Sequence, residues 1–495
     1  MSDEQPTASP VLNRRTVLAA ATAAGIGVAA ARLVAYANEP AFTPVPISGS
    51  LANKGGLDWV SPLDSEPARI AHLLRRATFG ASQAELDLAQ KDGYSKTVDR
   101  LLDTKFAEPP AFAGGDDASQ DKALNIGQLQ QWWIDHMAAT PTPFAERMTL
   151  FWHGHFTSDF RKVTPQTPFI YWQNLTWRRI ALSDLRSMLQ QVTIDPGMLR
   201  YLDLGNSTGK SPNENYSREL MELFTMGPEA YTEDDVRAAA KAMAGWREPL
   251  TQPMVDAQIK RQMQRNGQAP KNPPRADTVR TGIFEKQRAY TGPAYAYLSE
   301  TKVWTTDAVL DKIVAQDATA PFIVRKLLTH FVAPMPEDAY VTRLAASYRK
   351  TKYDTKSLMR DIFTSPEFTS ASAYRALIKT PTEFMLHITK ALGDKTLTRI
   401  VAQSGSGMGQ TLFDPPSVGG WPQNESWISS NTMLARANYV TATLQTVKKL
   451  PSAANAHQTH LDGVLSPQTL KLLNEATDDK KRWSIVFASP EFQLK

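Results

Sequence analysis

Apolar residues recur at intervals of three and four along most of the chain, which is the spacing of one face of an α-helix. One such face covers residues 70–77 and is expected to end at Gly80. The same pattern predicts helices over residues 86–102, 123–139, 143–155, 167–182, 183–191, 215–226, 232–246, 306–315, 319–332, 336–350, 355–364, 380–392 and 430–448. The sequence therefore predicts a mainly α protein, with a single large multi-helix domain over residues 63–495.

Polar residues at several predicted helix starts match capping patterns. Ser82 followed by Glu85 predicts a capping box, in which each side chain bonds the backbone N–H of the other residue. Thr232 precedes three acids, which the positive end of the helix dipole favours. The strings IFTSPEF at 362–368 and VFASPEF at 486–492 both place Ser-Pro-Glu where a new helical turn begins. The repetition is either a duplication or one capping solution used twice.

Three segments depart from the helical pattern. Residues 38–62 contain Pro, Ser and Gly and predict a linker. Residues 284–304 are aromatic and punctuated by Gly and Pro, which predicts a small β-hairpin. Residues 249–290 carry eight basic and three acidic side chains. They lack apolar periodicity between 262 and 280, so we expect a disordered, mobile insert at about 249–282.

The basic insert changes how the net charge is interpreted. The chain of 495 residues has a formal charge of +5, and residues 249–290 alone have an equal excess of basic residues. It is either a solvated loop or a surface that binds an anionic polymer or the cell-envelope surface, including lipid headgroups. The sequence carries no nucleic-acid-binding motif, so nucleic acid is not an expected partner. The absence of cysteine excludes disulfides, thiolate metal ligands and a cysteine nucleophile.

The first 37 residues have the pattern of a bacterial export signal. Arg14 and Arg15 precede an apolar stretch rich in Ala and Gly that extends to Ala31, and residues 35–37 form a small-x-small cleavage site. We expect residues 1–37 to be a Tat-type signal peptide, read by the Tat translocon, and the mature protein to be periplasmic or secreted. The alternative is a cytoplasmic N-terminal helix with two solvated arginines. No apolar run approaches 20 residues, so no transmembrane span is expected in the mature chain.

Two histidines in the string WHGHF are the first candidates for chemistry. His153 and His155 would point to opposite sides of a helix but to the same side of an extended turn, which Gly154 favours. Two imidazoles on one side could bind Zn, Fe or Mn, or act as acid and base. The alternative is that one histidine is packed and the other forms a hydrogen bond with the backbone. We call His153 and His155 the histidine pair.

Carboxylates form a second candidate group. Asn215, Glu219 and Glu222 lie on one stripe of the predicted helix at 215–226, at the border of its apolar face. Carboxylates there need cationic, hydrogen-bonding or metal partners. A structural ion-pair network and acid–base or metal-binding work both stay open. We call Glu219 and Glu222 the carboxylate stripe.

A third group is cationic, and a fourth is aromatic. His72, Arg75 and Arg76 share one helix face, which could pair with the carboxylate stripe or bind an anionic substrate group. Because unpaired buried charges are costly, we expect this cationic face, the histidine pair and the carboxylate stripe to meet in one half-buried cluster. Trp421 and Trp427 lie in or beside a Pro- and Gly-rich loop, where they could stack on carbohydrate or pack a helix connection.

Together these strings resemble the bacterial domain-of-unknown-function 1800 family. The segments that carry the resemblance are 71–80, 151–156, 212–224, 231–236, 414–421 and 489–492. The resemblance implies a large, helical and mostly exported protein, but no activity that can be transferred. Relatives tend to have a His-Asp pair and a Gly-Lys-Thr-like stretch after the middle tryptophan, and residues 284–304 here have neither.

The leading functional hypothesis is an exported hydrolase-like enzyme acting on a cell-envelope or extracellular polymer, because polar strings beside apolar helix faces are costly without a purpose. The alternatives are a non-catalytic polymer-binding or assembly protein of the envelope, and a metal- or haem-dependent redox protein that uses histidines such as His330. The catalytic candidates are His153, His155, Glu219 and Glu222. The substrate-binding candidates are His72, Arg75, Arg76, Asn215, Trp421 and Trp427. The sequence identifies no cofactor and leaves metal ligands open.

Overall fold

The computed structural model describes residues 60–495, so the predicted signal peptide and most of the predicted linker lie outside the described residues. The described part of the chain contains 23 α-helices. The first twelve are α1 (Glu66–Ala77), α2 (Gln83–Asp92), α3 (Tyr94–Asp103), α4 (Ile126–Ala139), α5 (Pro143–His155), α6 (Phe160–Val163), α7 (Phe169–Ile180), α8 (Leu185–Thr193), α9 (Pro196–Tyr201), α10 (Asn215–Glu222), α11 (Glu233–Met243) and α12 (Gln252–Asn266). The others are α13 (Thr306–Val314), α14 (Thr319–Phe331), α15 (Asp338–Lys350), α16 (Thr355–Phe363), α17 (Pro381–Leu392), α18 (Thr398–Ser404), α19 (Ser430–Thr446), α20 (Ala456–Leu461), α21 (Pro467–Glu475), α22 (Asp479–Ala488) and α23 (Pro490–Gln493). The prediction of a mainly α fold is confirmed.

One buried hydrophobic cluster extends through the chain from Leu73 to Phe492. The helices α5 and α17 are buried on nearly all of their faces. A helix surrounded by others must be apolar throughout or have its polar groups paired. Because α5 carries Arg147 and α17 carries Glu383, both buried, an ion pair between them is the physical solution that this packing requires.

Two small antiparallel sheets interrupt the helical fold. The strands β3 (Tyr295–Tyr297) and β4 (Glu300–Lys302) form the predicted hairpin, which is therefore confirmed. The strands β1 (Trp246–Arg247) and β2 (Ile283–Phe284) pair with each other across the basic insert. The helix predicted to extend to residue 246 stops at Met243 instead, because Trp246 begins β1.

The basic insert contains a helix that the sequence analysis missed. Fifteen residues, Gln252–Asn266, form α12, which begins at a Thr251 N-cap and ends at Gly267 with a φ of +70°. Interpreting all of 249–282 as loop was therefore wrong for its first half. The segment lacks an apolar stripe because α12 buries only Val255 and Ala257. Caps at both ends therefore identify this helix better than periodicity does.

The capping predictions hold. Ser82 and Glu85 form a capping box at the start of α2, and Thr232 and Asp235 form one at the start of α11. The repeated Ser-Pro-Glu-Phe strings form the same contacts: the hydroxyls of Ser365 and Ser489 accept bonds from the N–H groups three residues later, at 3.3 and 3.2 Å. The two strings are therefore one local structure used twice.

Helices α20 to α22 were not predicted, since their apolar residues are few and widely spaced. Among residues 60–495, no helix combines the length and the hydrophobicity that crossing a bilayer requires.

Candidate functional site

A cleft with a volume of about 320 Å³ opens beside the C-terminal end of α5. Its walls come from α5, from one face of α14 and from the loop at 419–427. The cleft is lined by Leu150, Phe151, Gly154, His155, Leu223, Phe322, Arg325, Lys326, Thr329, His330, Thr380, Gln410, Gly419, Trp421, Gln423 and Trp427. Parts of three segments that define the sequence motifs, 151–156, 212–224 and 414–421, therefore meet at this cleft.

The loop at 419–427 approaches α5 so closely that glycine is required. Gly420 has a φ of +84°, and a Cβ there would lie 2.2 Å from the carbonyl oxygen of Gly154. Gly154 itself has no atom within 4 Å of an added Cβ, so its own face is open. The hydroxyl of Thr157 donates to the carbonyl oxygen of Val418 at 2.6 Å and fixes the loop further. This backbone contact sets the width of the cleft at its inner end.

The histidine pair does not converge. Because α5 remains helical through His155, the two imidazoles project in different directions, and the extended turn that would bring them together is not formed. Nε2 of His153 accepts the backbone N–H of Phe413 at 3.1 Å. Nε2 of His155 donates to the carbonyl oxygen of Phe224 at 3.0 Å. Burial lowers the pKa of each to about 3, so both are neutral, and only His155 lines the cleft.

Lys326 is the cation of the cleft that lacks a counter-ion. Its neighbour Arg325 also lines the cleft but forms a 2.7 Å ion pair with Asp338. Among the described residues, no carboxylate pairs with Lys326, whose Nζ lies 5.3 Å from the ring centre of Phe322. The loss of surrounding water lowers the pKa of Lys326 even though the residue as a whole is exposed. Lys326 therefore offers an unpaired amine to whatever occupies the cleft.

His330 connects the cleft with the charged interior. Its Nε2 lies 3.2 Å from a guanidinium nitrogen of Arg147. A guanidinium can only donate, so Nε2 is the acceptor and the ring proton is on Nδ1. Burial, followed by the positive charges of Lys495 and Arg147, holds the pKa of His330 well below its usual range. The ring is therefore a neutral donor at neutral pH.

Behind His330 lies a buried network in which cations outnumber anions. Glu383 forms ion pairs with both Arg147 and Lys495. The buried cations whose charge interacts with Glu383 are Arg76, Arg147, Lys379, Arg436 and Lys495. Burial lowers the pKa of Lys495 to about 7 and that of Arg76 to about 9. Burial also lowers the pKa of Lys379, so the lasting positive charge next to the cleft is that of the three arginines. Their positive potential favours an anion in the cleft.

Trp421 and Trp427 form part of the cleft wall but not a stacking surface. They are 7% and 2% exposed and pack together with Ile378. Protein atoms occupy most of both ring faces, so a sugar ring cannot lie flat on either. Nε1 of Trp427 is buried without a hydrogen-bond partner among the described residues.

The cationic face of α1 pairs elsewhere than expected. Arg75 forms a bidentate ion pair with Asp462 at 2.7 and 2.6 Å. Arg76 donates to two backbone carbonyl oxygens, at 3.2 and 2.5 Å. Nε2 of His72 bonds the carbonyl oxygen of Phe368 at 3.1 Å. The expected pairing with the carboxylate stripe was therefore wrong, because Arg75, Arg76 and His72 bond to partners distant in sequence, although Nδ1 of His72 and Nε of Arg76 are buried without a partner among the described residues.

The carboxylate stripe has its own local partners. Glu222 accepts the hydroxyl of Tyr231 at 2.7 Å. Loss of water, and then repulsion from Glu222, raises the pKa of Glu219. Asn215 donates to Asp203 at 3.0 Å. None of these three candidates lines the cleft, so the single polar cluster expected from the sequence is not formed.

Within residues 60–495, no group of three His, Asp or Glu side chains has the arrangement of a metal site. The residues that sequence reasoning missed in the cleft are Lys326, Thr329, Thr380, Gln410 and Gln423. A signal for three of the cleft residues was present: Phe322, Lys326 and His330 follow one another at intervals of four, on one face of a predicted helix.

Comparison with known families places the chain. The model of the DUF1800 family, described as a protein of unknown function, matches residues 72–494. The chain therefore belongs to this family, and the resemblance seen in its motifs is confirmed. Comparisons with curated proteins and with solved structures find no match.

Proposed function

We propose that this protein is an exported binding protein that holds an anionic group of a cell-envelope or extracellular polymer in the cleft, without chemical turnover. The composition of the cleft carries the proposal: its lining offers an unpaired ammonium group and several hydrogen-bond donors but, among the described residues, no carboxylate. A site of this composition favours an anion over a neutral or a cationic ligand.

The polar groups of the cleft are oriented by bonds outside it. Oε1 of Gln410 already accepts the backbone N–H of Thr382 at 3.0 Å, which leaves its NH₂ group as the end available to a ligand. The acceptor nitrogen of His330 is likewise taken by Arg147, which leaves Nδ1–H. Both side chains therefore present donors, and donors are what a carboxylate or phosphate oxygen requires.

The same geometry argues against the hydrolase hypothesis. Convergence of the histidines with Glu219 and Glu222 would have favoured that hypothesis over its alternatives, and His153, His155 and Glu222 instead have separate partners. Hydrolysis of a glycosidic bond usually uses two carboxyl groups at the scissile bond, and the described residues place none in the cleft lining. Binding without turnover needs only the donors and the ammonium group that are present.

The export part of the proposal rests on Arg14 and Arg15 and on the apolar stretch that follows them. It restricts the ligand to polymers found outside the cytoplasm.

The cleft proposal is tested with short oligosaccharides of known charge. Calorimetric titration of residues 38–495 should show binding of trigalacturonate and much weaker binding of neutral galactotriose. Lys326→Gln should weaken trigalacturonate binding about tenfold, which corresponds to 1.4 kcal/mol. The matched control is Lys350→Gln, since Lys350 is an exposed lysine at the end of α15 and does not line the cleft.

Equal binding of the charged and neutral sugars, or equal effects of the two lysine variants, would reject an anion site in the cleft. Release of shorter sugars during prolonged incubation would instead show turnover and restore the hydrolase hypothesis.

A further inference from the structure

A second and larger groove, of about 790 Å³, lies between α12 and the turn at residues 164–167. It is lined by Gln120, Thr164, Gln166, Thr167, Arg200, Leu250, Met254, Gln258, Arg261, Gln262, Arg265 and Asn266. Among the described residues, the lining includes three arginines and five side-chain amides but no carboxylate and no aromatic ring.

One face of α12 forms a wall of this groove. Met254, Gln258, Arg261, Gln262 and Arg265 follow each other at spacings of three and four or lie beside such positions, as residues on one helix face do. In most helices of this fold such a face is apolar and packs on the core. Here it consists mainly of amides and guanidinium groups that line an open groove.

The arginines on this face differ from the other cations of the same segment. Lys260 pairs with Asp121 at 2.9 Å, and Arg280 pairs with Asp116 at 2.8 Å. Neither Lys260 nor Arg280 lines the groove. Among the described residues, no carboxylate pairs with Arg261 or Arg265, which line the groove. The positive charge that stays unneutralised at α12 therefore faces the groove.

The groove walls are held at their base. Arg247 forms ion pairs with Asp277 at 2.8 Å and with Glu285 at 2.6 Å. The backbone N–H of Asp277 donates to the carbonyl oxygen of Leu250 at 2.7 Å. These bonds connect the two ends of the insert close to the β1–β2 pair. The segment that contains α12 is therefore fixed to the rest of the fold at both ends.

We propose that this groove binds a run of acidic residues of a polysaccharide, with Arg261 and Arg265 on the acidic groups and the amides on the hydroxyls. This inference rests on the proposed binding function, for which it names the ligand class and adds a second site. Guanidinium groups alone would fit any polyanion. The lack of an aromatic side chain in the lining disfavours single-stranded nucleic acid, whose bases are usually held by stacking.

The amides favour a hydroxylated ligand for a separate reason. Oε1 of Gln166 accepts the hydroxyl of Thr164, so its NH₂ group is the end left for the groove. Gln258 and Gln262 carry both a donor and an acceptor, as the vicinal hydroxyls of a sugar also do. A lipid surface would instead need a protruding apolar face, and the large apolar side chains that line the groove are Met254 of α12 and Leu250, which precedes the helix. Met263 is the exposed large apolar side chain of α12, and it lies outside the lining.

The test uses affinity electrophoresis of residues 38–495 through gels that contain polygalacturonate, neutral dextran or poly(dT). The double variant Arg261→Gln with Arg265→Gln should lose about tenfold in polygalacturonate affinity. The control is Lys271→Gln with Arg275→Gln, which removes two exposed charges of the same segment that do not line the groove. We expect a change of less than about twofold for the control.

Equal losses of polygalacturonate affinity in the two double variants would reject the groove as the binding site and would indicate a general effect of the positive charge of the segment. Poly(dT) binding as tight as polygalacturonate binding would overturn the polysaccharide assignment. The Lys326→Gln variant separates the two sites: it should impair trigalacturonate binding in the cleft, and the loss of polygalacturonate affinity caused by Arg261→Gln with Arg265→Gln should be the same, about tenfold, in its presence and in its absence. Failure of the cleft alone would therefore leave the groove result intact, and the reverse also holds.

Discussion

Arg147 and His330 form a contact between a fully buried guanidinium group and the wall of an open cleft, with 3.2 Å between their nitrogen atoms. The contact fixes the tautomer of His330, because the guanidinium can only donate. Arg147 is itself held by its ion pair with Glu383. The orientation of a donor in the cleft therefore depends on a buried carboxylate of α17 that does not line the cleft.

Glu383→Gln should destabilise the protein strongly. The substitution leaves Arg147 and Lys495 as buried cations without a counter-charge, and breaking a buried ion pair costs about 3–5 kcal/mol. Urea denaturation at pH 7.5, followed by circular dichroism, measures the free energy of unfolding. The control is Glu475→Gln at an exposed position of α21, for which we expect a change within about 0.5 kcal/mol. If the two variants unfold at the same urea concentration, Glu383 does not hold this network together.

Gly420→Ala should cost more stability than a positive φ alone explains. At Gly393, where φ is +66°, an added Cβ meets no atom within 4 Å, so Gly393→Ala measures the backbone cost of about 1–2 kcal/mol. At Gly420 the Cβ would also meet the carbonyl oxygen of Gly154 at 2.2 Å. The loop must therefore move away from α5.

We expect Gly420→Ala to lower the free energy of unfolding by about 3 kcal/mol or more and to abolish trigalacturonate binding. Chemical denaturation and calorimetric titration of both alanine variants check this. Equal losses of stability with binding retained in both would show that the close backbone approach does not shape the cleft.

The sequence predicted those parts of the fold that depend on local patterns. Apolar spacing located most long helices, and the pairs Ser82 with Glu85 and Thr232 with Asp235 located helix starts, because a cap is formed within four residues of chain. Helix α12 was not predicted, because one of its faces is polar and lines a groove, so the segment lacks the apolar stripe of a helix that packs on the core.

The candidate site was predictable only in part. The strings containing His155 and Trp421 do meet at the cleft, so a functional region could be located from motifs. The partners of Arg75 and Arg147 could not be located, since Asp462 and Glu383 are hundreds of residues away in the chain. On charge alone, any of the 50 acidic residues could pair with a buried arginine. Tertiary packing determines which of them does.

Replacement of Arg14 and Arg15 by Lys tests export. The Tat receptor reads the guanidinium pair, so we expect the double Lys variant to accumulate as an uncleaved precursor in the cytoplasm. Cell fractionation and immunoblotting with an antibody to the mature chain measure the distribution. Arg32→Lys, in the same N-terminal region but outside the twin pair, is the matched control and should be exported normally. Normal export of the double variant would remove the Tat assignment.

The burial of Asp195 leads to a prediction about how the stability of the fold depends on pH. It is the N-cap of α9, where its Oδ1 accepts bonds from Gln173 at 2.7 Å and from the N–H of Met198 at 2.8 Å. Its Oδ2 is buried without a partner among the described residues. Burial raises the pKa of Asp195 from 3.8 to about 7, so the folded protein binds a proton that the unfolded chain has already lost.

For a carboxyl group whose folded pKa is raised, the stability it contributes is fully present below the unfolded pKa and is lost as pH rises through the folded pKa. The parent should therefore lose stability between about pH 4 and pH 7, by roughly 2–4 kcal/mol from this residue. Asp195→Asn keeps the capping oxygen and removes the charge, so the variant should match the parent at pH 4 and exceed it at pH 8. The exposed cap Asp478→Asn is the control, since it also caps a helix but is open to water and has a lowered pKa. Urea denaturation at four pH values measures the difference. A gap between parent and Asp195→Asn that stays constant from pH 4 to pH 8 would mean that Asp195 does not titrate in this range.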